Sequence, residues 1–491
     1  MKYDVVIIGS GLGGLECAYI LSRAGMRVLL LEQGTQAGGC IQSYRRHGLS
    51  YDTGFHYVGG LDEGQTLYAA FDYLGLLRLP WQRMDACFDR VTIGGRTFAF
   101  AEGYDAFAET LAADFPSERE ALHSYARLLK DVARQQLGVL NPCSKGASQA
   151  SALFETGAYP YFREKFHDAM LINVLGGTSL KMELRKESLP LFTFAHAGGS
   201  FIESSWRLKG DGGQIVHSLI NDIRSFGGEI ICRCGVQELV EKGGQLVRAV
   251  CKNGESYEGK VFISNIHPAA TCDLVKQSEK MKKVYRNRIH GLPNTFGMFT
   301  VSLCLKPCSL PYFNYNHYVY RRPNVWTFHQ ENRPVEGMMI SCRVPEDGSK
   351  YTQQVDLLTP MTWDSCRQWS DTRIGQRGDA YLRMKKEKAE ECIRLAEPFI
   401  PGLREMVAEC YISTPLTYRD YTGAPEGTAY GLRKDFRDPL MTLLSPRTPI
   451  PNLLLTGQNL MLHGLHGVTM TALFTCAEVL GKEAIWNIVK N

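Results

Sequence analysis

Three glycines, Gly9, Gly11 and Gly14, stand in the order G-x-G-x-x-G, and an acid, Glu32, follows at the distance where a ribose would be met. These residue types at this spacing can hold a dinucleotide. Gly9 permits a tight turn, Gly11 lets the backbone approach a pyrophosphate, and Gly14 lets a helix pack closely on a strand. The helix N-terminus presents unpaired N–H groups and a positive dipole end to the phosphates. Glu32 is placed to accept hydrogen bonds from ribose hydroxyls and argues against a 2′-phosphate, leaving NAD or FAD rather than NADP. A second glycine pair, Gly38-Gly39, follows, with Ser43 just beyond. An NAD dehydrogenase needs no close backbone there, whereas an extended FAD can use a second glycine-lined wall.

Groups able to move protons are few. His56 and Tyr57 follow the Asp52-Thr53-Gly54 turn; either can donate a proton or simply hydrogen-bond a flavin. His463 and His466 precede the last helix. Their spacing would suit a metal only with a third ligand, and none is evident, so they read as structural or substrate-side residues and no metal is expected. Cys232-Arg233-Cys234 and Cys304-Leu305-Lys306-Pro307-Cys308 lack partners at zinc-site spacing.

The elements around these residues form a βαβ unit. Asp4 to Ile8 is a short apolar strand, a helix runs from about Leu15 to Ala24, and Val28 to Leu31 is a second buried strand. Ser117-Glu118-Arg119-Glu120 has the form of a capping box. The helix it would start carries Leu122, Tyr125, Leu129 and Val132 on one face. Core packing is the ordinary reading of that face, and peripheral membrane contact through residues 120–180 is the sharper one. Residues 205–270 return to strands at Glu229 to Cys232, Val236 to Val240, Gln245 to Cys251 and Tyr257 to Ser264. An amphipathic helix with Ile215, Leu219, Ile220 and Ile223 precedes them. At the far end, Pro451 to Asn459 is a buried strand ending in a glycine turn, and Gly464 opens a helix to about Leu480. This strand, turn and helix read as the second half of the site.

The expected class is α/β, with a discontinuous nucleotide domain at 1–75, 205–290 and 431–491 and an interleaved α+β substrate domain at 76–204 and 291–430. The chain has 491 residues, and Lys plus Arg exceed Asp plus Glu by only 55 − 51 = 4. That excess does not point to nucleic acid as a partner. No apolar run reaches the roughly 18 residues of a membrane span, and no signal peptide is read at the start. The fifteen scattered cysteines suit reduced thiols in a cytoplasmic protein. Oligomeric state is not read from the sequence.

Taken together, the N-terminal fingerprint, Ala37-Gly38-Gly39-Cys40, Asp52 to Gly59, Val261 to Asn265 and Pro449 to Gln458 resemble the phytoene desaturase-related flavoproteins. Within them the retinol saturase branch is most similar and the carotenoid cis-trans isomerases next. Cys40 separates this branch from desaturases and amine oxidases, many of which carry Arg there. The resemblance implies a glutathione-reductase-type FAD-binding fold. Gly9, Gly11, Gly14, Glu32, Gly38, Gly39 and Ser43 would then hold the ADP and ribityl parts, and Val236 would meet the adenine through its backbone. Gly457 and Gln458 would approach the diphosphate and ribityl chain, with Gly467 and Val468 placing a helix N-terminus at the flavin pyrimidine edge. Two departures stand out. Asn459 replaces an Asp of the retinol saturases, and those proteins lack His463 and His466.

The resemblance implies an FAD-dependent oxidoreductase acting on carbon–carbon double bonds of a hydrophobic, conjugated retinoid- or carotenoid-like substrate, with saturation favoured over desaturation. A carotenoid cis-trans isomerase and a flavin amine oxidase are the alternatives, and an FAD-stabilised carrier of hydrophobic ligands is a third. Only one complete dinucleotide fingerprint is present, so a second domain for NAD(P)H is not expected, and the external reductant is not read.

Overall fold

The structure, a computed structural model, describes residues 2–138, 140–141, 152–330 and 334–490. Val5, Val6 and Ile7 are wholly buried, as befits a central parallel strand covered on both faces. The strand Lys2–Ile8 pairs in parallel with Val28–Leu31 on one side and with Ser256–Ser264 on the other. Glu229–Ile231 extends one edge in parallel, and Leu453–Leu455 adds to Ser256–Ser264, also in parallel. Gln245–Cys251 and Val236–Lys242 complete the sheet as an antiparallel meander. The first helix, Leu12–Arg23, packs against both the closing helix Gly464–Leu480 and Gly213–Ser225. The sheet thereby joins the chain's start, middle and end, and the expected Rossmann-like α/β class holds.

A second seven-stranded sheet runs in the order Val407–Ser413, Gly297–Leu305, Gln354–Met361, Gly337–Cys342, Asn316–Tyr320, Cys87–Ile93, Arg96–Ala101. Its pairs are antiparallel apart from Asn316–Tyr320 with Cys87–Ile93. Successive side chains on a strand point to opposite faces, and the two cores show it. Met338 and Leu357 join the core beneath the helix Gly378–Ala396, whereas Met339 and Leu358 join an aromatic core beneath Arg119–Gly138 and Leu191–Glu203.

Two expectations are revised here. Residues Pro116–Glu118 form a 3-10 turn ahead of the helix Arg119–Gly138, so Ser117 is not its cap. The buried Glu118 carboxylate instead accepts the backbone N–H groups of His167 (2.8 Å) and Asp168 (2.7 Å). The face carrying Leu122, Tyr125, Leu129 and Val132 is turned into the aromatic core, which removes it as a membrane-contacting face. Among the described residues, no helix is long and apolar enough to cross a membrane, and every cysteine is a free thiol.

One contact between the first and closing helices carries a cost. Glu16 is fully buried there; Thr469 Oγ1 donates to its Oε1 at 2.6 Å, and Oε2 has no partner. Burial pushes this carboxyl up to about 8. The folded state therefore binds its proton more tightly than the unfolded chain does, and stability falls as pH rises from about 4.5 to about 8. The slope is up to about 1.4 kcal/mol per pH unit. Glu16→Gln should flatten this part of the stability–pH curve and raise Tm at pH 8. Thermal melts of both proteins from pH 5 to 8 check it, and parallel curves would refute it.

Candidate cofactor and substrate site

The first strand ends at Gly9, whose φ of 92° is accessible to glycine and strained for other residues. The next residue is fixed by Glu32. Its Oε2 accepts from Ser10 N (3.0 Å) and Ser10 Oγ (2.5 Å), and its Oε1 accepts from Gly34 N (2.6 Å). Glu32 thus ties the two strand ends together, and a carboxylate with about four lone-pair sites keeps capacity for a ribose hydroxyl. The second glycine pair lies against the first. Gly38 N donates to Ser10 O at 3.1 Å, and a Cβ on Gly39 would stand 3.0 Å from Gly11 Cα. A Cβ on Gly14 would collide with the Gly9 carbonyl.

The far end of the chain closes the same corner. A Cβ on Gly13 would lie 3.2 Å from Gly457 Cα. Asn265, at the end of its strand, donates from Nδ2 to Gly9 O at 3.3 Å. Val236 lies two residues beyond Cys234, whose N–H donates to Glu32 O at 2.8 Å. Ser43 stands at the start of the helix Gly213–Ser225, where its Oγ would meet a Cβ on Gly213 at 2.6 Å. Gln458 packs on Gly431, and Gly467 and Val468 lie in the closing helix against Leu462 and the core of the first helix. The backbone turns at 9–14, 38–39 and 457 therefore meet in one place, with Ser43, Val236 and the closing helix at its borders. That close approach of bare backbone, beside a helix N-terminus, suits a dinucleotide.

His56 is held near Arg343, Asp356 and Arg207, and burial pushes its imidazole down to about 4. The preceding turn is anchored because buried Asp52 pairs with Arg343 and accepts Gly212 N at 2.7 Å; burial raises its carboxyl to about 6. Tyr57 points elsewhere. Its hydroxyl donates to Asp89 Oδ2 at 2.8 Å and meets Tyr318 OH at 2.8 Å. Burial and the Asp89 charge hold its phenol well above the usual range. Its proton is committed to Asp89. The same carboxylate pairs with Lys181 Nζ at 3.2 Å and accepts Asn316 Nδ2 at 2.9 Å.

His463 caps the closing helix by position, and its Nε2–H donates to the Lys181 carbonyl at 2.9 Å. Tyr430 lies against it, the rings tilted by 42° with centroids 4.9 Å apart, and donates its hydroxyl to Leu180 O. His466, in the first turn, has both ring nitrogens buried without a hydrogen-bond partner, and His196 of Leu191–Glu203 lies 4.6 Å away, centroid to centroid. Burial pushes His463 and His466 down to about 4 and His196 well below its ordinary value. Orphaned imidazole nitrogens at a helix N-terminus are what a hydrogen-bonding ligand would satisfy. Among the described residues, no three His, Cys, Asp or Glu side chains are grouped to hold a metal.

Sequence reasoning missed Asp89, Lys181, His196 and Tyr318, and took Asn265 only as the last residue of the Val261–Asn265 motif. Asp89 had one signal, an acid at a buried position of the strand Cys87–Ile93, between Phe88 and Val91 of the core. Lys181 had another, a charge within an aromatic-rich segment.

Residues 7–74 match the model of an NAD(P)-binding Rossmann-like domain. The whole chain is similar to the all-trans-retinol 13,14-reductase of Macaca fascicularis, 27% identical over 100% of this chain and 87% of that protein. The chloroplastic prolycopene isomerase of Daucus carota is 23% identical over 88% of this chain and 72% of that protein. Among solved structures, putrescine oxidase bound to putrescine superposes with a TM-score of 0.64 at 14% identity, covering 100% of both chains. The last likeness is one of fold. The sequence likeness extends the resemblance beyond the glycine motifs to the full chain.

Two outcomes follow from the geometry. Gly14→Ala forces a methyl group into the Gly9 carbonyl and should lower bound dinucleotide at least about tenfold, near 1.4 kcal/mol. Nucleotide released from purified protein by denaturation measures this, and unchanged content would refute the cradle. Secondly, His56, His196, His463 and His466 should stay neutral from about pH 5 to 8. Constant ring shifts in histidine-labelled NMR spectra check this; a midpoint above about 6 for any of the four would contradict it.

Proposed function

We propose that this relative of the all-trans-retinol 13,14-reductases and prolycopene isomerases is an FAD-dependent oxidoreductase. Its substrate is a hydrophobic conjugated polyene, whose carbon–carbon double bonds it saturates. The observation that carries this reading is the likeness along the whole chain to the all-trans-retinol 13,14-reductase, joined to the meeting of bare glycine backbone at 9–14, 38–39 and 457. A polyene has no charge to pair, so a site for it is largely apolar with few polar groups.

FAD supplies a two-electron hydride carrier at its N5. The chain's own residues do the rest. Gly11, Gly38, Gly39 and Gly457 would accept the diphosphate and ribityl chain against bare backbone. The N-terminus of Gly464–Leu480 would place positive dipole charge by the flavin pyrimidine edge, where reduced flavin is negative. His466 would hydrogen-bond the cofactor or substrate from that turn. Its imidazole and that of His56 are neutral at pH 7, so neither brings an imidazolium proton. The amine oxidase alternative is disfavoured because the likeness to putrescine oxidase is one of fold at 14% identity, whereas the sequence likeness along the whole chain is to the all-trans-retinol 13,14-reductases.

The test is incubation of purified, reduced protein with retinol and with carotenoids under anaerobic conditions. A product heavier by two mass units is expected. Product lighter by two under oxidising conditions would reverse the direction, and unchanged mass with a new retention time would favour the isomerase. No turnover of any polyene, with peroxide released from amines, would overturn the reading.

A further inference from the structure

The whole surplus of positive charge sits in one short stretch. Residues 273–290 hold six Lys and Arg against two Asp and Glu, a surplus of four, which equals the surplus of the full chain. The rest is balanced, 55 less six cations against 51 less two acids. A run of like charge is most often a solvated face, so what each group does decides its meaning. Arg286 is spent on the fold, its guanidinium donating to the carbonyls of Cys272, Val275 and Met281. Arg288 lies over the Tyr285 ring at 5.4 Å, and Lys276 pairs with Glu238 at 3.3 Å. Lys280, Lys282 and Lys283 remain. All three are exposed, and none has an ion-pair partner among the described residues.

These lysines are held together by the fold. The Glu241 carboxylate accepts from Ser278 Oγ and from Glu279 N (2.9 Å), which pins the loop to the strand Val236–Lys242. The stem of Lys280 lies over the turn at Gly244, where a Cβ would meet its Cε at 2.7 Å. Lys282 and Lys283 open the helix Lys283–His290, which has no acid in its first turn. Two ammonium groups therefore stand at the positive end of the helix dipole, a local cost that an anionic surface would offset. Val284, beside them, is 81% exposed. The free cations are Lys and not Arg. A compact charge on a flexible stem suits a fluid array of phosphates, whereas a shape-specific protein partner draws on the planar guanidinium fork. Clustered lysines are attracted to anionic lipid within a Debye length of its surface. We propose that Lys280, Lys282, Lys283 and Val284 form a docking surface for an anionic phospholipid bilayer, the lysines meeting headgroup phosphates and Val284 entering the interface. Membrane contact is thereby placed outside the buried face of Leu122, Tyr125, Leu129 and Val132. The proposal goes beyond the polyene reading and does not need it.

Co-sedimentation of the flavin-loaded full chain with sucrose-loaded vesicles tests it. Vesicles of phosphatidylcholine mixed with phosphatidylglycerol should bind the protein at least about tenfold better than phosphatidylcholine alone at about 0.1 M salt, and the advantage should fall away at about 0.5 M. Lys280→Gln, Lys282→Gln and Lys283→Gln together should cost at least about tenfold in binding to the mixed vesicles. A control with Lys350→Gln, Lys386→Gln and Lys482→Gln removes the same charge from exposed positions elsewhere and should bind as the native protein does. Val284→Ser should weaken binding about threefold; unchanged binding would overturn its entry into the interface. Flavin absorbance and thermal melts report that each variant is folded. Equal loss in the two triple variants assigns binding to net charge and overturns the patch. Equal binding to both kinds of vesicle, or binding to neither, overturns it as well. Retention on polyglutamate beads with none on vesicles would overturn the bilayer in favour of an acidic macromolecule. No polyene enters the assay, so its failure leaves the polyene reading standing.

Discussion

The side-chain amide of Asn265 stands where three turns of the chain converge, and the rest of the site depends on that convergence. Its backbone N–H donates to Ile8 O at 2.8 Å and its Nδ2 to Gly9 O, so it continues the sheet pairing past the strand ends. Cβ atoms on Gly11 and Gly13 would lie 3.0 Å from its amide atoms, one on Gly14 3.1 Å, and one on Gly457 2.5 Å. The glycines are therefore required twice, to bring backbone to a pyrophosphate and to leave room for this amide. The N-terminal fingerprint and the C-terminal glycine turn are separated by most of the sequence, and one side chain makes them neighbours.

Desolvation governs the electrostatics around that corner. His56, His463 and His466 are held down to about 4, Lys181 is lowered and Glu16 raised. In each case burial is the largest cause, ahead of any neighbouring charge. Asp52 shows the contest directly: Arg343 and Gly212 favour its ionised form, yet burial raises it to about 6. The outcome is an interior with little isolated charge at neutral pH. Such an interior suits an apolar conjugated ligand and excludes the water that would compete for its few polar contacts.

Much of this was legible in the sequence because local patterns and global fold agree. Apolar strands, a glycine turn and an amphipathic helix follow one another at 4–31, and the structure contains them with the first helix starting at Leu12. The strands of 229–264 and the closing helix Gly464–Leu480 likewise follow from local periodicity. The capping box at Ser117 failed because the nearby Glu118 was recruited by the amides of 167–168, a tertiary contact no local pattern encodes. The same limit hid the Lys181–Asp89 pair. The residues stand on separate elements, and only the packing of Leu180 to Met182 against the second sheet brings them together. Tyr57 was picked out as a proton donor from its proximity in sequence to a cofactor turn, and the structure turns its hydroxyl toward Asp89.

The departures from the retinol saturase pattern gather on one wall. Asn459 accepts Leu432 N at 3.1 Å, and its carbonyl takes Lys434 Nζ at 2.7 Å. Lys434 also donates to Leu460 O at 2.8 Å and Thr442 O at 3.2 Å, and burial pushes its amine down to about 7. A few residues on, His463 holds the Lys181 carbonyl and His466 faces His196. The segment from Asn459 to His466 is thus a strap between the cofactor-side helix and the wall of the aromatic cavity. One short stretch of chain thus runs from the glycine turn at 457 to the aromatic core that Leu462 joins.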